Sequence, residues 1–273
     1  MWSTFTKLQS AVLHGVVYLT MAYLIIPTLI ILPISLSSER YLSFPPAGYS
    51  LQWYKSFIDN PGYAHSMLNT LKVGIPVTIL SMALGTLAAL SVVRGNLPMQ
   101  RSFSALVLAP LMLPQIILAI GLFPVLASVN LLGGFVGIII AHTVISIPLV
   151  MITVSAALRG FGPNYELAAM TMGANWWQTF WSVTFPMIRP AVLVGGLFAF
   201  AASFDEIIIA LFLTDFNSVT LPKFMFSELQ YQLDPTIAAA STVVVSISLI
   251  LLTIVALIQR RSSSIVSKAQ NRA

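Results

Sequence analysis

The chain of 273 residues has no cysteine and only 8% charged residues, against roughly a quarter in an ordinary soluble domain. Without thiols, neither a disulfide framework nor a thiolate metal site is available. The three histidines, His14, His65 and His142, fall in separate segments with no acid or second histidine at ligand spacing, so they read as span or interface residues and no metal is expected. None of the five lysines follows a glycine. That excludes a phosphate-cradling Gly-Lys-Ser/Thr loop, and with it an ATP-hydrolysing motor within this chain. Hydrolytic catalysis has no better footing: His142 and Asp205 are the one conceivable base and acid, and nothing in their spacing links them. No catalytic residue is expected. The 13 basic residues give a net charge of +5, yet they stand singly beside apolar runs, which is no footprint for a nucleic acid.

What the chain has in excess is apolar length. The hydrophobic fraction is 58% and the mean hydropathy +0.92. A bilayer core admits only helices or closed barrels, and these runs are long and unbroken rather than alternating, so the fold class is an all-α integral membrane protein. At about 20 residues per crossing, six spans fit. They are read at Leu13 to Leu36, Ser66 to Val93, Phe103 to Leu126, Phe135 to Leu158, Ala191 to Leu213 and Thr236 to Ile258. The first is longer than the 7 to 15 apolar residues of a cleaved leader, so a retained helix is expected. The third carries Pro110, Pro114 and Pro124, which implies a kinked helix whose freed carbonyls face protein or water.

Charge sets the orientation. With both termini cytoplasmic, the inner segments hold Lys7, Arg94, Arg101, Arg159, Arg189, Arg260, Arg261, Lys268 and Arg272 against the single acid Glu166. Outer segments hold Arg40, Lys55 and Lys223 against Glu39, Asp59, Asp215, Glu228 and Asp234. The excess of bases inside is the usual sign of cytoplasmic loops. The whole of 1–273 reads as one transmembrane domain, with Trp53, Tyr54 and Phe57 anchoring an outer interfacial segment.

The inner connection from Arg159 to Arg189 is about 30 residues long, far beyond the two to eight usual between packed helices. Pro163-Asn164 opens a helix with Glu166 in its first turn, where a carboxylate suits the dipole. Ala168 and Ala169 leave a small surface that another backbone can approach. Gly173 ends or kinks this helix before an aromatic one containing Trp176, Trp177, Phe180 and Trp181, which Phe185-Pro186 is expected to stop. A helix lying flat on the membrane would carry Lys and Arg on its polar face, and none occurs between Arg159 and Arg189.

This stretch resembles the Glu-Ala-Ala loop of membrane subunits of ATP-binding cassette importers: Glu-Ala-Ala, three residues, Gly, nine residues, Ile, one residue, Leu-Pro. With Gly173 as the fixed point, Ala168 and Ala169 meet the alanines, Val183 the isoleucine, Phe185 the leucine and Pro186 the proline. Leu167 stands at the glutamate position and Glu166 one residue before it. The likeness extends to Trp53-Tyr54, Pro110-Leu-Met-Leu-Pro114, His142 to Pro148 and Ser203-Phe-Asp-Glu206, which are similar to type I permeases of the spermidine/putrescine group. The resemblance implies a type I permease fold and a loop docked on an ABC ATPase dimer, which alone binds ATP and Mg. It also implies a second permease, favouring a paralogue, and an extracytoplasmic binding protein that delivers substrate.

Two acids stand within the fifth span. Asp205 and Glu206 lie about 20 Å beyond Ala191 at helical rise. Unpaired acids at such depth cost about 2.5 to 3.5 kcal/mol each on insertion scales, so they face a partner or an aqueous path. Lys72, about 10 Å into the second span, offers the partner, and a cationic substrate offers the alternative. Asp205, Glu206 and Lys72 are therefore the expected substrate-path residues. A polyamine or related amino compound suits them; a zwitterionic amino-acid-like or aminophosphonate substrate is the alternative. A proton-coupled secondary transporter using the same acids would leave the long loop unexplained and would normally show two related halves. Gly195, Gly196 and Ala199 form a small-residue face, expected to pack within the chain.

Overall fold

The computed structural model describes the backbone of residues 7–95, 98–231 and 234–270. Of the residues in the charge count, Lys7, Arg260, Arg261 and Lys268 have side chains outside that description, and Arg272 lies outside it altogether. The regular structure of the described residues is helical, apart from isolated bridges of Ser37 with Tyr49 and of Gly133 with Thr214. They form two compact units.

One unit comprises the chain up to Ala64 together with Ser227–Ser246. Helix α1 (Lys7–Ser35) leaves Tyr18, Leu19 and Tyr23 about 70% exposed, as a helix facing lipid does. Its end is tied to α2 (Gln52–Asp59): Trp53 Nε1 donates to the Ser37 carbonyl at 2.7 Å, and Tyr54 Oη lies 2.8 Å from Ser35 Oγ. The aromatic anchors of the sequence thus hold α2 against the end of the first span.

The other unit, His65–Phe226 with the chain from Ile247 on, holds the remaining helices. They are α3 (Pro61–Val93), α4 (Gln100–Met112), α5 (Gln115–Ser128), α6 (Phe135–Gly160), α7 (Asn164–Thr171) and α8 (Trp176–Thr179). A π-helical turn (Phe180–Thr184) joins α8 to α9 (Phe185–Phe204), and α10 (Ile208–Leu213), α11 (Leu221–Tyr231) and α12 (Thr236–Gln270) follow. Residues 61–64, 227–231 and 236–246 of α3, α11 and α12 belong to the first unit.

Five described helices are long and apolar enough to cross a membrane, and the bent pair α4 and α5 would make a sixth. The chain is a multi-pass membrane protein. The expected kink in the third span is a full break of 107°. Pro114 pushes Leu113 out of the helical region, to φ −86° and ψ 138°, because its ring collides with a helical residue before it. The fifth span differs more. It starts at Trp176 and runs through Phe185-Pro186 to Phe204, so that pair does not stop the helix. Pro186 falls in the first turn of α9, directly after a π turn, where the wider backbone ring accommodates a residue without an N–H.

The core of this unit is where α3, α6 and α9 meet. Val150, Val154 and Leu158 of α6 pack with Ala88, Ala89 and Val92 of α3 and with Ile188, Val192 and Ala199 of α9. Close approach depends on glycine. A Cβ added at Gly85 would lie 2.6 Å from Val150 Cβ, and one at Gly195 would lie 3.0 Å from Val150 Cα. At Gly196 the obstacle is Met82 Sδ, at 2.5 Å. The Gly195, Gly196 and Ala199 face therefore packs inside the chain, as small-residue faces of membrane helices do. We predict that Gly85→Val and Gly195→Val each destabilise the protein by about 1–3 kcal/mol through overpacking. By contrast, Gly121→Ala, with no atom within 4 Å, should be neutral or stabilising by up to about 1 kcal/mol. Thermal unfolding in detergent checks this, and equal midpoints for all three would contradict the packing account.

Candidate functional site

Two helix breaks face one cavity. Between α9 and α10 the chain leaves helical geometry at Asp205, Glu206 and Ile207; between α4 and α5 it does so at Leu113 and Pro114. Both breaks line a cavity of about 590 Å³, closed on its third side by Ile145 and Leu149 of α6. Irregular backbone at membrane depth is tolerated where protein covers it or where it borders a water-filled space. The C-terminal ends of α4 and α9 bring partial negative charge to the cavity and the N-terminal ends of α5 and α10 partial positive charge, so its net charge is that of the two acids. The lining therefore favours a cation, and Gln115 adds an uncharged hydrogen-bonding group at the same wall.

The two acids are not equivalent. Asp205 caps α9 and is exposed, whereas Glu206 is 4% exposed and its Oε1 accepts the Ile209 N–H at 2.7 Å, capping α10. Both stand at the end of a span helix rather than within one, a placement that the sequence reading, which drew the helix on to Leu213, did not anticipate. Lys72 is elsewhere. Its ammonium lies 5.6 Å over the Phe135 ring, it does not line the cavity, and among the described residues it forms no ion pair with either acid. Nearby, the buried His142 holds Nδ1 2.9 Å from Ser203 Oγ, just before the acid pair.

The long connection begins as a short helix, a glycine turn and a second helix. Asn164 to Thr171 form α7, with Glu166 in the first turn. Gly173 has φ +90° and closes the helix: its N–H donates to the Met170 carbonyl at 3.0 Å, while Ala174 N–H donates to Ala169 at 3.1 Å. That pair of bonds is a Schellman cap, and the left-handed position asks for glycine. Asn175 then starts α8 with a reciprocal capping box to Gln178. Trp177 and Trp181 pack edge to face, with Phe180 and Phe185 completing the aromatic run. Ala168 is exposed and Ala169 half-buried; Val183 and Pro186 lie one turn apart where the connection becomes the span.

Glu166 occupies a position that the sequence did not disclose. Its Oε2 accepts from Arg94 Nε at 2.7 Å and its Oε1 from Thr184 Oγ1 at 2.8 Å. Arg94, read from sequence only as one base of a short turn, also donates through Nη2 to the carbonyls of Leu158 and Phe161. The signal available was that Glu166 is the single acid among the expected inner segments, so its partner had to be one of their bases. Which base was a matter of tertiary distance. Among the described residues no group of three or more His, Asp or Glu side chains is gathered to hold a metal.

A multi-pass helical protein whose broken helices surround an acid-lined cavity, and whose longest connection presents a separate surface helix, has the build of a transporter's membrane-spanning subunit. The chain belongs to the family described as "binding-protein-dependent transport system inner membrane component", which matches residues 81–264. It is a permease subunit of an ABC importer. The chain is 26% identical over 251 residues to the spermidine/putrescine transport system permease protein PotC of Haemophilus influenzae, covering 92% of this chain and 97% of that protein. It is 29% identical over 236 residues to the putrescine transport system permease protein PotI of Escherichia coli K12, covering 84% of each. In fold it matches the bacterial alginate ABC transporter solved in complex with an alginate pentasaccharide-bound periplasmic protein, with a TM-score of 0.70 and 16% identity over 94% of each chain.

The capping bond made by Glu206 separates charge from structure. We predict that Glu206→Gln, which keeps an acceptor for the Ile209 N–H, unfolds within about 1 kcal/mol of wild type. Glu206→Leu leaves that N–H unpaired and should cost about 1–3 kcal/mol. Thermal unfolding of the purified variants decides, and equal losses for both would mean that the charge, not the cap, supports the fold.

Proposed function

We propose that this permease moves a polyamine of the spermidine/putrescine type, or a closely related small amino compound, through the cavity at Asp205 and Glu206. The observation that carries the reading is the convergence of two helix breaks and an acid pair on one cavity, since broken helices are where transporters place their ion and substrate sites. The relatives named for spermidine and putrescine point to the same chemistry. An ammonium passing this wall meets Asp205, which is exposed and unpaired among the described ion pairs, before the buried Glu206. In this reading Lys72, whose ammonium lies over the Phe135 ring, takes no part in that path.

In this reading the whole of 1–273 acts as one permease domain of six spans, counting α4 and α5 as one, with both termini cytoplasmic. The 159–189 connection is the coupling loop. Ala168, Ala169 and the turn at Gly173 meet an ATPase dimer that binds ATP and Mg, while Val183 and Pro186 pass its motion into the fifth span. A second permease, favoured to be a paralogue, completes the path, and an extracytoplasmic binding protein loads it. Nucleotide binding favours the outward-open state and hydrolysis resets it, a population shift driven outside this chain.

Two measurements test the proposal. In cells expressing the complete transporter at matched membrane levels, Asp205→Asn or Glu206→Gln should reduce uptake of labelled spermidine at least tenfold, on the scale of about 1.4 kcal/mol per decade. Assembly and basal ATP hydrolysis should persist. A wild-type complex that does not move spermidine would remove the polyamine assignment. For orientation, the absence of native cysteine permits single replacements. An impermeant maleimide added outside should label Phe216→Cys and leave Met172→Cys unlabelled; the reverse pattern would invert the topology.

A further inference from the structure

Helix α7 buries none of its residues. A cavity of about 500 Å³ separates it from the end of α3 and from α8 and the π turn, bordered by Leu87, Leu90, Leu167, Met170, Trp176 and Phe180. Apolar packing therefore does little to join this helix to the spans. The join is polar. Glu166 reaches inward across the gap, and both of its carboxylate oxygens are engaged there, by Arg94 Nε at 2.7 Å and Thr184 Oγ1 at 2.8 Å.

Each partner stands where a span ends or begins. Arg94 directly follows α3, and its Nη2 donates at 3.0 Å to Leu158 near the end of α6 and at 2.9 Å to Phe161 just beyond it. Its guanidinium also lies 5.1 Å over the Phe161 ring. Carbonyl-rich helix ends favour a cation, and only a planar fork serves a carboxylate and two carbonyls at once, which a lysine ammonium cannot do in the same geometry. Thr184 is buried in the π turn, from which the fifth-span helix continues to the cavity at Asp205. One carboxylate thus joins α7 to three spans. The exposures of 21% for Arg94 and 12% for Glu166 leave the pair partly desolvated, so salt screens it less than a surface ion pair.

We infer that Arg94, Glu166 and Thr184 form an internal clamp that transmits displacement of α7 to the spans, making Arg94 and Thr184 coupling residues. Glu166 is a positioning residue turned toward its own chain, and the docking contact is left to the outward face that includes Ala168 and Met172, both exposed. This rests on the reading of 159–189 as the coupling loop, and it makes no use of the substrate assignment.

The test uses the complete transporter, with partner permease, ATPase and binding protein, reconstituted in proteoliposomes. Its readout is the ATP-driven change in maleimide labelling of Ala202→Cys in this otherwise cysteine-free chain, a residue that lines the acid cavity. In Arg94→Gln, Glu166→Gln and the near-isosteric Thr184→Val, the ATPase should co-purify as in wild type. The ATP-driven change per ATP hydrolysed should fall roughly tenfold, within the range of couplings between sites. Arg94→Lys, which keeps the charge without the fork, should fall between. Wild-type coupling in Thr184→Val and Arg94→Gln would overturn the clamp. Loss of ATPase co-purification confined to Glu166→Gln would also overturn it, because it would place the carboxylate on the docking surface. A wild-type complex showing no ATP-driven change would overturn the coupling-loop reading, and the clamp with it.

Discussion

A lipid core offers no hydrogen bond to a peptide group, so every N–H and C=O at that depth is satisfied within its own helix or by something the protein encloses. Most of this chain meets the condition by uninterrupted helices. Where it does not, at Leu113-Pro114 and at Asp205 to Ile207, the two exceptions face the same cavity. The breaks are not independent defects. Each supplies the other with a polar wall, and Glu206 turns part of the lost helical bonding into a cap on α10.

The same segment of chain links that cavity to the opposite end of the span. From Thr184 to Phe204 one helix runs from the Glu166 clamp to the acid pair, held against α6 by the close approach of Gly195 to Val150. A helix packed at that distance moves with its neighbour as a body, since interiors at native density transmit displacement rather than absorb it. The π turn and Pro186 at its start mark where the backbone departs from regular geometry, next to the residue that holds Glu166. Polar contact at one end, glycine-mediated packing in the middle and an acid-lined break at the other end form one continuous physical connection.

Much of this was legible before folding. The apolar runs, the wide basic bias, the turn at Gly173 and the break near Pro114 are local properties, set by transfer free energy and by the backbone limits of glycine and proline. The helix start at Asn164 and its end at Gly173 followed from neighbouring residues alone. The span drawn from Ala191 was too short at one end and too long at the other. Tryptophans read as a separate helix are continuous with the span through a π turn, and acids read as mid-helix interrupt it.

The sequence by itself determined the solvent of this protein and the family to which its loop is kin, because these depend on composition and on spacing along the chain. Tertiary structure alone decided that Lys72 stays with Phe135 and away from the acids, that Glu166 takes Arg94 and Thr184, and that two distant helix breaks share a cavity. Pairing is a matter of distance in space, and residues 72 and 18 positions apart, like Glu166 and its two partners, carry no mark of it in their order.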